Sequence, residues 1–151
     1  MTGGTTLKDY LFVGAQFLLF AAYALRRPAL AFSAPDPVRY AGLAATIFAM
    51  IAGVLALLQL SKNLSPFPTP VRDGELVTTG MFAYARHPIY AVLLLAAFGF
   101  GLYTSSGYRL LIGLVLLVLF YFKSSYEEAL LGERYVGYGA YREKVRRFGL
   151  F

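Results

Sequence analysis

Four apolar runs, at residues 10–25, 40–60, 89–103 and 108–122, dominate the sequence and leave few folds open to it. They are 16, 21, 15 and 15 residues long. A helix rises about 1.5 Å per residue and a bilayer core is about 30 Å thick, so the second run spans alone. The other three need polar ends or a neighbour to complete a crossing. Backbone in hydrocarbon must satisfy its own hydrogen bonds, which makes helices of such runs. Tyrosines mark their ends, at Tyr10, Tyr23, Tyr40, Tyr90, Tyr103, Tyr108 and Tyr121, as in an interfacial belt. A soluble bundle is a poor alternative, because only 15% of residues are charged, against about 25% in soluble domains. The expected fold is all-α: a polytopic membrane protein of one domain over residues 1–151. It has about four transmembrane helices, at about 10–25, 40–60, 88–103 and 108–122.

With four spans, the N-terminus, the 61–87 loop and the C-terminal segment 123–151 share one side. That side carries ten basic residues: Lys8, Lys62, Arg72, Arg86, Lys123, Arg134, Arg142, Lys144, Arg146 and Arg147. The other carries four, Arg26, Arg27, Arg39 and Arg109. The basic-rich side is read as cytosolic. The first run is read as a retained helix, because Lys8 is cancelled by Asp9 and gives no basic lead for a cleaved signal, although Ala29-Leu30-Ala31 supplies small residues. The absence of cysteine excludes disulfides, thiol catalysis and cysteine–metal sites. A single histidine argues against a zinc or haem centre, so no metal is expected. The +6 net charge has no basic stripe on a soluble element to suit it to nucleic acid, and is read as a topology and lipid signal.

Small residues Ala45, Ala49 and Gly53 recur at four-residue spacing in the second run, and Gly99 and Gly101 lie in the third; all are read as close-packing positions. The short link at residues 104–107 makes an antiparallel hairpin of the last two runs. In the long loop, Ser65-Pro66-Phe67-Pro68-Thr69-Pro70 is forced into extended geometry, Asp73-Gly74 reads as a turn, and Pro88 suits the first turn of the third helix. The fourth helix is predicted to run on to about Arg134, carrying Lys123, Glu127 and Glu128 into the cytosol, with Lys123 and Glu127 spaced to pair. The basic, aromatic C-terminal tail is expected to be helical and cytosolic, and suits a surface of anionic headgroups.

The chemistry concentrates at two places. One is Leu76-Val77-Thr78-Thr79-Gly80-Met81-Phe82-Ala83-Tyr84-Ala85-Arg86-His87-Pro88-Ile89-Tyr90, at the mouth of the third run; the other is Glu127-Glu128, just past the fourth. Polar residues at the ends of membrane helices mark working sites. Together with Tyr138, Tyr141 and Val145-Arg146-Arg147-Phe148, these stretches resemble the integral membrane methyltransferases of the isoprenylcysteine carboxyl methyltransferase-like and phospholipid methyltransferase family. Their pattern is Leu-Val-x-x-Gly-Pro-Tyr-x-x-x-Arg-His-Pro-x-Tyr, followed downstream by a Glu-Glu pair, two tyrosines and a Val-x-Arg-Phe ending. Residues 63–70 also look like the loop of bacterial members, so the resemblance covers roughly residues 60–148. Met81-Phe82 replaces the usual Pro-Tyr, Val92 stands where glycine often does, and residues 135–138 are a residue short. These departures bear on the acceptor pocket and its shape more than on the cofactor.

The resemblance implies methyl transfer from S-adenosylmethionine to a lipophilic acceptor at the cytosolic face, with S-adenosylhomocysteine as product. It implies a carboxylate acceptor foremost, with amine or thiol left open. It implies catalytic roles for Arg86, His87 and Glu127. The cofactor set it implies is Arg86, His87, Pro88, Tyr90, Glu127, Glu128, Tyr138 and Tyr141, with Phe67 as the acceptor gate. These residue types suit the cofactor. Its carboxylate asks for a cation such as Arg86, its ribose diol or ammonium for an acceptor such as Glu127 or Glu128, and its adenine and sulfonium for aromatic faces. Alignment in a water-free site supplies most of the acceleration of such a transfer, so the lack of a triad or metal is no objection. An amine or thiol acceptor would need a base, for which His87 or a glutamate is the candidate. Two other classes stand beside this one: an NADPH-dependent membrane reductase, and a non-catalytic membrane partner or lipid-binding protein.

Overall fold

The computed structural model describes residues 4–25, 27–28 and 30–149. Arg26, counted above towards sidedness, and Ala29, in the small-residue triplet, lie outside the described residues. The described residues are all-α, with five helices: α1 (Leu7–Ala24), α2 (Asp36–Leu60), α3 (Pro88–Tyr103), α4 (Gly107–Arg134) and α5 (Tyr138–Lys144). Single 3₁₀ turns at Ser61–Asn63 and Gly80–Ala83 interrupt the long loop.

Local chemistry sets the helix ends. α1 begins three residues before the apolar run because Thr6 and Asp9 form a reciprocal capping box. α2 begins at Asp36 rather than Tyr40, because Pro35 and Pro37 preset φ and Asp36 suits the positive end of the helix. α3 starts on Pro88 as expected. α4 runs 28 residues, straight through Gly132, to Arg134. Helices α2 and α4 are long and apolar enough to cross a membrane, whereas α3 is apolar but only 16 residues long. The outward face of α2 carries Phe48, Met50, Ile51, Val54 and Leu58, all exposed, as suits lipid.

The tightest packing lies between α2 and α3. A Cβ on Gly42 would stand 2.5 Å from the Gly99 carbonyl oxygen, and one on Gly99 would stand 2.6 Å from the Gly42 carbonyl oxygen. Below this crossing, Ala49, Ala52 and Val92 form a small buried cluster. The expected small-residue stripe is thus displaced, with Gly42, Ala49, Ala52 and Ala56 on the buried face. Gly101 serves the α3–α4 contact, where a Cβ would meet Leu110 at 2.7 Å. Tyr23 and Tyr108, read above as interfacial, donate to the carbonyls of Ala97 (2.6 Å) and Ala22 (2.9 Å) and tie α1 to its neighbours. A second core joins Leu94 and Ala97 of α3, Leu116 and Phe120 of α4, and Phe148 from the tail.

The glycine crossing yields a test. Gly99→Leu must push two backbones apart, and overpacking costs typically ~1–3 kcal/mol, so its unfolding midpoint in detergent falls clearly. Gly14→Ala in α1 meets nothing within 4 Å and leaves the midpoint unchanged or slightly raised.

Candidate active site

Three segments that are distant in sequence meet at one end of the helices. The 61–87 loop arrives first. Gly80 turns it with φ +60°, a conformation that favours glycine. The side chain of Gln59 occupies the space a Cβ there would fill, and Gln59 Oε1 accepts from the Met81 amide at 2.8 Å. The glycine of the motif is therefore a backbone requirement. The tail arrives last. After α5 it runs back beside the start of α3, so that the amides of Arg86 and His87 donate to the carbonyls of Arg146 and Arg147, each at 2.9 Å.

Arg86 joins all three segments. Its Nε donates to Glu128 Oε1 at 2.9 Å, and its Nη1 donates to the carbonyls of Arg142 (3.1 Å) and Val145. Consecutive helical residues point about 100° apart, and the Glu127-Glu128 pair divides accordingly. Glu128 turns inward and is 2% exposed. Besides Arg86, its carboxylate has His87 Nε2 at 3.1 Å, Arg147 Nη2 at 3.3 Å and Arg142 Nε at 3.6 Å. This group lies beyond the apolar part of α4. Burial opposes its ionisation, but hydrogen bonds from His87 and Arg86 and the charge they bring outweigh that and hold the carboxyl at about 2. An ionised carboxylate only accepts, so His87 Nε2 carries the hydrogen and Nδ1 faces the other glutamate.

That other glutamate, Glu127, turns towards open space. Its side chain is 26% exposed, its Oε2 accepts from the Tyr90 hydroxyl at 3.0 Å, and it lies 3.7 Å from His87 Nδ1. The His87 ring stacks on Tyr90 (5.4 Å, 7°) and Tyr90 on Phe120 (4.7 Å, 9°), so the aromatic column fixes both polar tips.

Of the cavities that adjoin these groups, one lies under the loop and one between the helices. A polar cleft of about 100 Å³ lies beneath the loop, walled by Phe67, Arg86, Glu127, Tyr135, Tyr138 and Tyr141. A larger cavity of about 340 Å³ lies between the helices, walled by Leu57, Leu60, Leu93, Tyr90, His87 and Lys123 among others. Leu60, Ser65, Phe82, Arg86 and Glu127 line both. In the cleft the Tyr138 hydroxyl is buried without a hydrogen-bond partner. Burial, then the charge of Glu128, keep that hydroxyl protonated well above the ordinary tyrosine range. Tyr141 donates to the Phe82 carbonyl, and burial pushes it up to about 12.

The candidates Arg86, His87, Pro88, Tyr90, Glu127, Glu128, Tyr138 and Tyr141 thus converge on one end of the fold. Phe67 packs edge-on against Tyr10 (5.2 Å) and lines the cleft, while Leu64, Ser65 and Pro66 border the larger cavity. Lys123 does not form the expected pair with Glu127. Its ammonium donates instead to Gln16 Oε1 (2.6 Å) and the Pro66 carbonyl (2.8 Å), because α1 and the loop pack over that face of α4. Sequence reasoning also missed Asp9, which is fully buried and accepts from the Thr69 amide (3.0 Å) and hydroxyl (2.9 Å). It missed Gln16, the one amide in the first apolar run, which was the available signal.

Comparison with protein families decides the class. The sequence profile for phospholipid methyltransferases matches residues 38–137, about two thirds of the chain. The chain belongs to the phospholipid methyltransferase family. It is therefore a membrane methyltransferase that uses S-adenosylmethionine, with a lipid-type acceptor, and the reductase and non-catalytic readings fall away. Among curated proteins, none matches. The matched segment runs from α2 to Gly137; it contains Arg86, His87, Glu127 and Glu128, and stops before Tyr138, Tyr141, Arg142 and Arg147.

The burial of Glu128 yields two expectations. Glu128→Gln leaves Arg86 and Arg147 facing a neutral amide; breaking a buried ion cluster costs roughly 3–5 kcal/mol, read as a lower unfolding midpoint and faster proteolysis of the tail. Because the folded carboxyl titrates near 2 rather than 4.5, its contribution is complete above about pH 4.5 and is lost as the pH falls towards 2. Tail protection in the native protein follows that course, and Glu128→Gln flattens it.

Proposed function

We propose that this methyltransferase binds its cofactor in the polar cleft and a lipophilic acceptor in the larger cavity, with Arg86, His87 and Glu127 at the junction. The observation that carries the reading is that Arg86 and Glu127 line both spaces. The cleft supplies donors and acceptors that suit the cofactor: the unpartnered Tyr138 hydroxyl, the open carboxylate of Glu127 and the ring faces of Tyr135 and Tyr141. When bound, S-adenosylmethionine supplies an electrophilic methyl group. The cleft is smaller than the ~300–1,000 Å³ of ordinary small-molecule pockets, so the 61–87 loop has to rise for a nucleoside-sized ligand to enter.

The protein's own residues then have distinct tasks. Arg86 and Glu128 assemble the floor and dock the tail. Tyr90 and His87 hold Glu127 in place, and Glu127 faces the junction as acceptor for an ammonium, a diol or a proton. Pro88 and Tyr90 border the acceptor's side, and Phe67 borders the cleft under the loop. The acceptor atom is a carboxylate oxygen by preference, and an acceptor that arrives ionised needs no base. An amine or thiol would hand its proton to Glu127 or His87.

The reading includes four membrane crossings, α1 to α4, with the loop, the tail and the site at the cytosolic face. It is supported by the ten-to-four division of basic residues and by the ties that join α1, the loop and α4 at one end: Asp9 to Thr69, Lys123 to Pro66, and Tyr135 to the Gly74 carbonyl (2.8 Å). The chain lacks cysteine, so single cysteines test it directly. Cysteine at Glu75 reacts with an impermeant maleimide only from the cytosolic side, and cysteine at Asp36 only from the opposite one.

Titration calorimetry of the detergent-purified protein tests the site. S-adenosylhomocysteine binds saturably and NADPH does not. Glu127→Gln weakens that binding or slows transfer by at least about tenfold, the loss of one charge-assisted contact, while stability changes by only ~1 kcal/mol. Unchanged binding and transfer in Glu127→Gln would sink the assignment of the junction.

A further inference from the structure

Lys123 is 1% exposed, yet it borders the 340 Å³ cavity. Both partners of its ammonium, Gln16 Oε1 and the Pro66 carbonyl, are neutral oxygens. Among the described residues no carboxylate lies within ion-pair distance of it; Tyr90 places a ring face 5.4 Å away. An ammonium has three N–H donors, so one remains after these two bonds. The charges of Glu127 and Asp9 reach it only from beyond ion-pair distance, and a buried cation with no directly paired counter-ion is costly unless an anion completes it. The rest of the cavity wall is mainly apolar, with Leu57, Leu60, Leu64 and Leu93. Leu57 and Leu64 are themselves surface residues, so the cavity opens on that side, where α2 presents its lipid-facing side chains. An amphiphile with its tail at these leucines would bring its polar end to Lys123.

We infer that Lys123, held by Gln16 and Pro66, is a specificity-determining anchor for an acidic oxygen group, carboxylate or phosphate, on the lipophilic acceptor. This rests on the larger cavity being the acceptor site. Lys123 then selects by charge, while the leucines select for the alkyl chain. The i,i+4 partner Glu127 remains free for the junction because Lys123 is drawn away from it towards α1 and the loop.

The test compares amphiphiles of one chain length on the detergent-purified full-length protein, by saturable shift of its unfolding midpoint at fixed detergent mole fraction. Oleate stabilises at concentrations at least about tenfold below those needed for oleyl alcohol, the advantage of one charge-assisted contact; oleylamine does not stabilise. Lysophosphatidate against monoacylglycerol repeats the comparison for phosphate and shows which oxyanion is preferred. In Lys123→Met the preference for oleate over the alcohol disappears, and in Lys123→Arg it persists. If Lys123→Met does not fold, the native comparison alone decides. Equal affinity for oleate and oleyl alcohol in the native protein, or a preference that survives Lys123→Met, overturns the inference while leaving the cavity as acceptor site. Failure of every amphiphile to bind a protein that does bind S-adenosylhomocysteine overturns the acceptor-site reading as well.

Discussion

The structure turns on one carboxylate. Glu128 gathers the Arg86, Arg142 and Arg147 side chains and the His87 ring around two oxygens, with almost no exposure to solvent. These groups come from three stretches: Arg86 and His87 from the end of the long loop, Arg142 from the last turn of α5 and Arg147 from the extended tail. The polar cleft exists only while they stay together, because its wall is loop on one side and α5 on the other. The free energy of such a cluster depends on completeness. Three donors, with Arg142 farther off, share the desolvation of one anion, and removal of the anion leaves Arg86 and Arg147 buried without a counter-ion.

The neighbouring glutamate is free to act because Glu128 is not. A one-residue step along α4 changes the direction of a side chain by about 100°. That step separates a residue that builds the site from one that faces it. His87 spans the two, with Nε2 at 3.1 Å from Glu128 and Nδ1 at 3.7 Å from Glu127. The stacked column of His87, Tyr90 and Phe120 ties this arrangement to the helix core, so the chemistry stands on rigid elements rather than on the loop.

At the membrane level the fold depends on close approach rather than on polar glue. Gly42 and Gly99 bring α2 and α3 within backbone contact, and the tail's Phe148 fills the far side of the α3–α4 core. The buried polar groups of α1, Asp9 and Gln16, do not pair with each other. Each reaches outward, to Thr69 of the loop and to Lys123 of α4, so α1 serves as the strut against which the loop is closed. The larger cavity is the space left between that strut, the loop and the aromatic column.

Much of this was legible in the residues. Apolar run lengths determined which segments form helices, Pro88 determined where α3 starts, and the absence of a breaker carried α4 to Arg134. The Arg-His-Pro and Glu-Glu pairs marked the residues that meet, because a membrane helix rarely carries such groups at its ends without use. What no local pattern contained was direction. Which of two adjacent glutamates turns inward, whether Lys123 reaches Glu127 or Gln16, and which small residues of α2 face α3 all depend on the rotation of whole helices about their axes. That rotation is set by packing over many residues at once, with Gly42 against Gly99 its tightest point. The sequence by itself determined the elements and the chemical groups at their ends. Only the tertiary structure decided which of those groups neutralise one another and which remain open to a ligand, because partners for buried charge are chosen in space and not along the chain.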